Sequence, residues 1–168
     1  MFLAFARRIC TCDQALRAGG WGIGQAEPIP RTAGRTLCPV GYGRIGRAVH
    51  RRLAAFGIRR VFVHDPFVPH EMADEAGVHP VTLADLVAQS DIILPHAPAT
   101  SDAPLMDAGC LATLKRGAVL INAARGALVD GRLPGAGLDV FRQEPPDPSN
   151  PLLGMANVFL SDRTAWYP

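Results

Sequence analysis

LCPVGYGRIGRAVHRRLAAFGIRRVFVHD, residues Leu37–Asp65, contains in order an apolar run, a glycine-rich turn, an amphipathic stretch, a second apolar run and a terminal carboxylate. That order predicts strand, turn, helix, strand and acid, which is the layout of a dinucleotide site. In GYGRIG, Gly41 permits the tight turn after the strand, Gly43 lets backbone approach a pyrophosphate, and Gly46 lets the new helix pack closely on the sheet. The helix start supplies unpaired N–H groups and a partial positive charge to phosphate. Ile45, Val49, Leu53 and Phe56 recur at helical spacing as an expected apolar stripe, and Gly57 is placed to end the helix. Arg59–Asp65 reads as a buried strand. Asp65 stands nineteen residues beyond Gly46, where a carboxylate accepts hydrogen bonds from an adenosine ribose and repels a 2′-phosphate. NAD is therefore expected rather than NADP. One residue objects: Pro39 falls inside the first strand and removes a ladder donor from what should be a central position.

Downstream, apolar runs alternate with helical patterns. Strands are expected at Val78–Val81, Asp91–Leu94, Ala118–Asn122, Gly137–Val140 and Asn157–Leu160. Thr82, with Asp85 three residues on, is placed as an N-cap of a helix that buries Leu83, Leu86 and Val87, and a further helix is expected over Met106–Leu114. The alternation predicts an α/β fold of the Rossmann type, a doubly wound parallel sheet in three α/β/α layers. EPPDPSNP, Glu144–Pro151, reads as a surface loop.

Composition adds bounds. A chain of 168 residues with 48% hydrophobic content can bury one core, and a net charge of +2 requires no strongly charged partner. Arg44, Arg47, Arg51 and Arg52 cluster on the glycine-loop helix, but no nucleic-acid motif accompanies them, so they read as a solvated face with one arginine near the cofactor. Cys10, Cys12, Cys38 and Cys110 form no CxxC pair and match no histidine spacing, so neither a metal site nor a disulfide framework is expected. They read as reduced cytoplasmic thiols. MFLAFARR has the charge order opposite to that of a signal peptide, and no apolar run is long enough to span a membrane.

Ligands of such sheets bind beyond the carboxyl ends of the strands. The residues there are Gly41, Gly43, Arg44, Ile45 and Gly46; Asp65 with Pro66; His96, Ala97, Pro98 and Thr100; Ala123 and Arg125; Asp139; and Ser161–Arg163. Arg125 offers a fork of donors that can hold a carboxylate or carbonyl oxygen, with the capping of loop carbonyls as its plain alternative. Asp139 can accept from a nicotinamide carboxamide or simply cap the next turn. Glu144 can partner a basic group or remain solvated, and His96 is either a cofactor contact or an ordered loop histidine.

GYGRIGRAV, VHDPF, HAPAT, INAARGALVD, GLDVFRQEPP and NPLLGMANVFLSDRTAWY resemble, in this order, blocks of the NAD-binding domain of D-isomer-specific 2-hydroxyacid dehydrogenases, particularly the C-terminal-binding-protein-like branch. FARRICTCDQALRAGGW resembles the preceding hinge helix and connector. Residues 1–34 are thereby expected to be a remnant of that hinge, and 35–168 the NAD-binding domain. The resemblance implies hydride transfer between NAD and a 2-hydroxy or 2-keto acid. It assigns substrate orientation to Arg125, catalysis to Glu144 and carboxamide binding to Asp139, and it implies a homodimer.

Three departures qualify it. The family's catalytic histidine is replaced by Arg163, which cannot exchange a proton near neutral pH. The substrate-binding lobe is missing, so the chain reads as truncated. A crossover helix is missing between Asp130 and Gly131, leaving Gly126–Gly135 as a short connection and an expected bare sheet face. An oxidoreductase of this type is the principal expectation. A noncatalytic NAD-binding sensor or interaction module, and an incomplete, decayed gene product, are the alternatives.

Overall fold

A computed structural model of the chain describes residues 1–22, 29, 31–97, 105–122, 136–141, 143–155 and 158–164. Two short helices open it, α1 (Phe2–Ala6) and α2 (Ile9–Arg17). The sequence then alternates as β1 (Thr36–Val40), α3 (Arg44–Ala54), β2 (Arg60–Val63), α4 (His70–Ala76), β3 (His79–Pro80), α5 (Leu83–Gln89) and β4 (Ile92–Pro95). It continues with α6 (Ala108–Ala112), β5 (Val119–Asn122), β6 (Ala136–Leu138) and β7 (Val158–Leu160). The strands form one sheet in the order β3-β2-β1-β4-β5-β6-β7, with every neighbouring pair parallel. This is the doubly wound arrangement expected from the sequence.

Alternate residues of each strand serve opposite faces, and both faces are covered by apolar groups. Leu37, Val61, Val63, Ile92, Leu94, Val119 and Ile121 form one core with Leu53 of α3 and Ala73 of α4, and Met1, Phe2 and Phe5 pack against it. Cys38, Val40, Ile93 and Leu120 form the other with Leu86 and Val87 of α5 and Leu111 of α6. Burial pushes the Cys38 thiol up to about 11, as befits a packing group rather than a nucleophile. Thr82 caps α5 as expected, its Oγ1 accepting from the Asp85 amide at 3.1 Å.

Pro39 is accommodated by the ladder it can spare. Pairing with β4 runs unbroken through Leu37–Ile92, Cys38–Ile93, Pro39–Leu94 and Val40–Pro95. Pairing with β2 covers Thr36–Arg60 and Leu37–Val61, lapses, and resumes only at an isolated bridge between Val40 and His64. In a parallel strand successive residues hydrogen-bond to opposite neighbours, so the missing donor costs the β2 side and leaves the β4 side intact.

Other expectations require correction. Of the expected stripe, Leu53 is buried and Val49 packs on the core, whereas Ile45 is 64% exposed and Phe56, beyond the end of α3, is 40% exposed; Gly46 joins the buried side. α4, bounded by Pro69 and Gly77, has no counterpart among the expected elements because HEMADEA carries too few apolar residues to show a period. The bare face expected beside β5 is not observed: Leu120, Ala136 and Leu138 are 0%, 1% and 4% exposed. The crossover between these strands lies at residues 123–135, outside the described residues.

Candidate functional site

The sheet order reverses between β1 and β4, and the loops that leave these two strands meet there. The His96 amide donates to Val40 O at 2.7 Å, and the Gly41 amide to His64 O at 2.9 Å, which aligns the ends of β1, β2 and β4. Gly41 has φ +93°, and a Cβ there would lie 2.7 Å from the Ala97 nitrogen. Only glycine permits both that conformation and that approach. A Cβ on Gly46 would collide with the Gly41 carbonyl oxygen. Gly43 differs, since nothing lies within 4 Å of where its Cβ would be.

That open side sits over the start of α3. Gly43 caps the helix without any side-chain hydrogen bond, so the first-turn amides lack a side-chain acceptor. Arg44 and Ile45 are exposed beside them. The space, the free donors and the partial positive charge fit a pyrophosphate, and a side chain on Gly43 would fill the cradle. His96, one residue beyond β4, buries an Nε2 that has no hydrogen-bond partner among the described residues, a second feature that fits a polar ligand. Burial lowers its pKa, so it is neutral near pH 7.

Asp65 closes the other side of the loop. Its Oδ2 accepts from the Tyr42 amide at 2.7 Å and its Oδ1 from the Phe67 amide at 2.9 Å, across the turn that contains Pro66. Tyr42 is buried, and its hydroxyl meets His50 Nδ1 at 2.6 Å. Desolvation raises the Tyr42 pKa and lowers that of His50. Sequence reasoning missed this pair, because the residue between the first two glycines carries no motif. The i, i+8 spacing of an aromatic and a histidine was the one available signal.

A second group of residues lies at the ends of β6 and β7. Asp139 is buried, accepts from Ser161 Oγ at 2.5 Å, and donates its amide to Asn122 O at 3.0 Å. Glu144 Oε1 accepts from the Phe141 amide at 3.1 Å, while Oε2 accepts from Arg163 Nη1 at 2.7 Å. Asp139, Glu144 and Arg163 thus border one cavity of about 720 Å³ whose walls include Phe141, Leu153 and Leu160. Arg163 supplies a permanent charge and fixed donors there, but no exchangeable proton. Pro98, Thr100, Ala123 and Arg125 lie outside the described residues. Among the described residues, no three His, Cys, Asp or Glu side chains are grouped to hold a metal ion, and no helix is long and apolar enough to cross a membrane.

A doubly wound sheet with a glycine cradle at its switch point, and an acid that grips the cradle from the end of β2, defines a dinucleotide-binding domain. A family profile described as D-isomer specific 2-hydroxyacid dehydrogenase, NAD binding domain, matches residues 1–165. The chain belongs to that family. It is 37% identical to a glyoxylate reductase of Korarchaeum cryptofilum over 98% of this chain and 54% of that one. It is 36% identical to a D-3-phosphoglycerate dehydrogenase of Archaeoglobus fulgidus over 98% of this chain and 33% of that one. A crystal structure of a protein from Thermus thermophilus superposes with a TM-score of 0.83 at 36% identity, over 97% of this chain and 54% of that one. The chain therefore spans between a third and about half of the length of these relatives.

Proposed function

We propose that this chain is the cofactor half of an oxidoreductase of the D-2-hydroxyacid dehydrogenase type, acting on CH–OH groups of a 2-hydroxy acid or its 2-keto counterpart with NAD. The observation that carries the reading is the clamp of Asp65 on Tyr42 beside the open α3 cradle. In it, Gly41, Gly43, Arg44, Ile45 and Gly46 receive the pyrophosphate. Asp65, with Pro66, receives the ribose through lone pairs left over from its two amide bonds. His96, Ala97, Pro98, Thr100 and Ala123 border the dinucleotide from the neighbouring strand ends, and Asp139 accepts from the carboxamide. Bound NAD supplies a hydride acceptor, and its reduced form a donor. Arg125 orients the substrate carboxylate, and Glu144 holds Arg163 at the position where the family has its proton-exchanging histidine.

Residues 1–34 serve as the hinge toward a substrate lobe, and 35–168 as the cofactor domain. The packing of Met1, Phe2 and Phe5 on the core supports a hinge segment docked on the domain. A cytoplasmic location is supported by four free thiols, and a homodimer by the resemblance. Isothermal titration with NAD⁺ tests the reading: saturable heat is expected, and its absence from a cooperatively folded sample rejects it.

The Glu144–Arg163 ion pair favours a second reading, an NAD-binding module without turnover. Loss of a positioned proton donor typically lowers rate by on the order of 10² to 10⁴. A turnover assay with NADH and several 2-keto acids separates the two.

A further inference from the structure

Asp139 and Ser161 stand just beyond the ends of neighbouring strands, β6 and β7, and both border the cavity of about 720 Å³. The Asp139 amide donates to Asn122 O at 3.0 Å and the Ser161 amide to Leu138 O at 3.0 Å, so the ladders of β5, β6 and β7 fix both backbones. Asp139 is 3% exposed, and its Oδ1 accepts from Ser161 Oγ at 2.5 Å. A short bond from a hydroxyl to a carboxylate is charge-assisted and stronger than a neutral one.

The fixed backbone does not by itself aim the oxygens of Asp139. The torsion that turns a carboxyl group about its last carbon–carbon bond has broad, roughly two-fold wells. A hydrogen bond from a group whose own backbone is held does aim them, and Ser161 Oγ is such a group, 22 residues away in sequence and one strand across in the sheet. A carboxylate has about four acceptor sites, so the bond from Ser161 does not exhaust its capacity for a further donor. We propose that Ser161 is a positioning residue: its hydroxyl turns the Asp139 carboxylate so that the N–H donors of the nicotinamide carboxamide meet an acceptor at a favourable angle. It acts through Asp139 and not on the dinucleotide. The inference rests on the reading of Asp139 as the carboxamide acceptor, and it adds the group that sets the direction of that acceptor.

The test is isothermal titration of the full chain with NAD⁺, with its 3-acetylpyridine analogue, in which a methyl ketone replaces the carboxamide and removes its N–H donors, and with ADP-ribose, which lacks the nicotinamide. Wild type is expected to bind NAD⁺ at least about tenfold more tightly than the analogue, the effect of one hydrogen bond to a charged group. In Ser161→Ala that preference should fall to about threefold or less while ADP-ribose affinity stays within about twofold of wild type. Ser161→Thr, which keeps the hydroxyl, should retain the preference. Ser161→Cys, which offers only a weak donor, should lose it, and it decides the matter if Ser161→Ala does not fold. A preference that survives in Ser161→Ala or Ser161→Cys, or that is lost equally in Ser161→Thr, overturns this inference alone. Parallel weakening of all three ligands in a folded Ser161→Ala marks a structural role and overturns it as well. Equal binding of NAD⁺ and the analogue by wild type overturns the carboxamide role of Asp139, and this inference with it. Absence of NAD⁺ heat overturns the function reading, and both with it.

Discussion

Asp65 Oδ2 accepts the backbone N–H of Tyr42 at 2.7 Å, so the acid proposed to grip a ribose also holds the glycine loop. The two roles separate by mutation. In Asp65→Asn the amide oxygen can keep the Tyr42 bond but the NH2 cannot accept from the Phe67 amide, so a stability loss smaller than that of Asp65→Ala is expected while the charge proposed to repel a 2′-phosphate is lost. Titration with NAD⁺ and NADP⁺ should show the preference for NAD⁺ collapse. In Asp65→Ala both bonds vanish, with a destabilisation of about 1–3 kcal/mol in denaturant melts and at least about tenfold weaker NAD⁺ binding. Equal affinities of wild type and Asp65→Ala would reject the assignment.

Gly43 and Gly46 make contrasting cases within one turn. Gly46→Ala drives a methyl into the Gly41 carbonyl, and a loss of about 1–3 kcal/mol in stability is expected from the forced backbone shift. Gly43→Ala meets no protein atom within 4 Å, and its backbone, at φ −71°, suits any residue. Its melting curve should match wild type while NAD⁺ affinity falls. An unchanged affinity would show that the cradle is not where the phosphates lie.

Arg163→His puts an exchangeable proton beside a glutamate that the Phe141 amide already holds at 3.1 Å. Turnover of 2-keto acids with NADH is expected to rise by on the order of 10² or more over wild type, with the rate falling at high pH as the imidazole loses its proton. No rate above buffer would count against the dehydrogenase reading of the site.

His50 and His96 are both desolvated, and burial holds both below the ordinary value of 6.5. Below that value the unfolded chain binds more protons than the folded one, so stability rises with pH across this window and is lost as pH falls through about 6.5. The loss levels off once pH is below the folded values. Thermal melts between about pH 7.5 and 5.5, a range above ordinary carboxylate titration, should show a falling midpoint, and His50→Gln with His96→Gln should flatten the slope. A wild-type midpoint that does not move would contradict the burial argument.

The positions of β1, α3, β2, α5 and β5 were legible in the sequence because each carries its own period or cap. Thr82 with Asp85 specifies a helix start within four residues, and VLIN needs no neighbour to read as a buried parallel strand. The expected stripe held at Val49 and Leu53 but failed at its ends, Ile45 and Phe56, for the complementary reason. Both residues fit helical spacing, yet the close contact of Gly46 with the Gly41 carbonyl fixes which way α3 is turned, and Ile45 is left outside. Pro39 reads as an obstacle in one dimension. It becomes tolerable only when β4 supplies an unbroken ladder on one side.

By itself the sequence determined the succession of strands, the glycine cradle and the acid beyond it, since turn chemistry, periodicity and capping act over a few residues. Only the tertiary structure decided that Asp65 would hold Tyr42, that Tyr42 would be buried against His50, and that Glu144 would be neutralised by Arg163. These partners are 23, 8 and 19 residues apart. Which side chains meet across such distances depends on where the sheet order sets the strand ends down. That geometry comes from packing the whole core, and no local stretch encodes it.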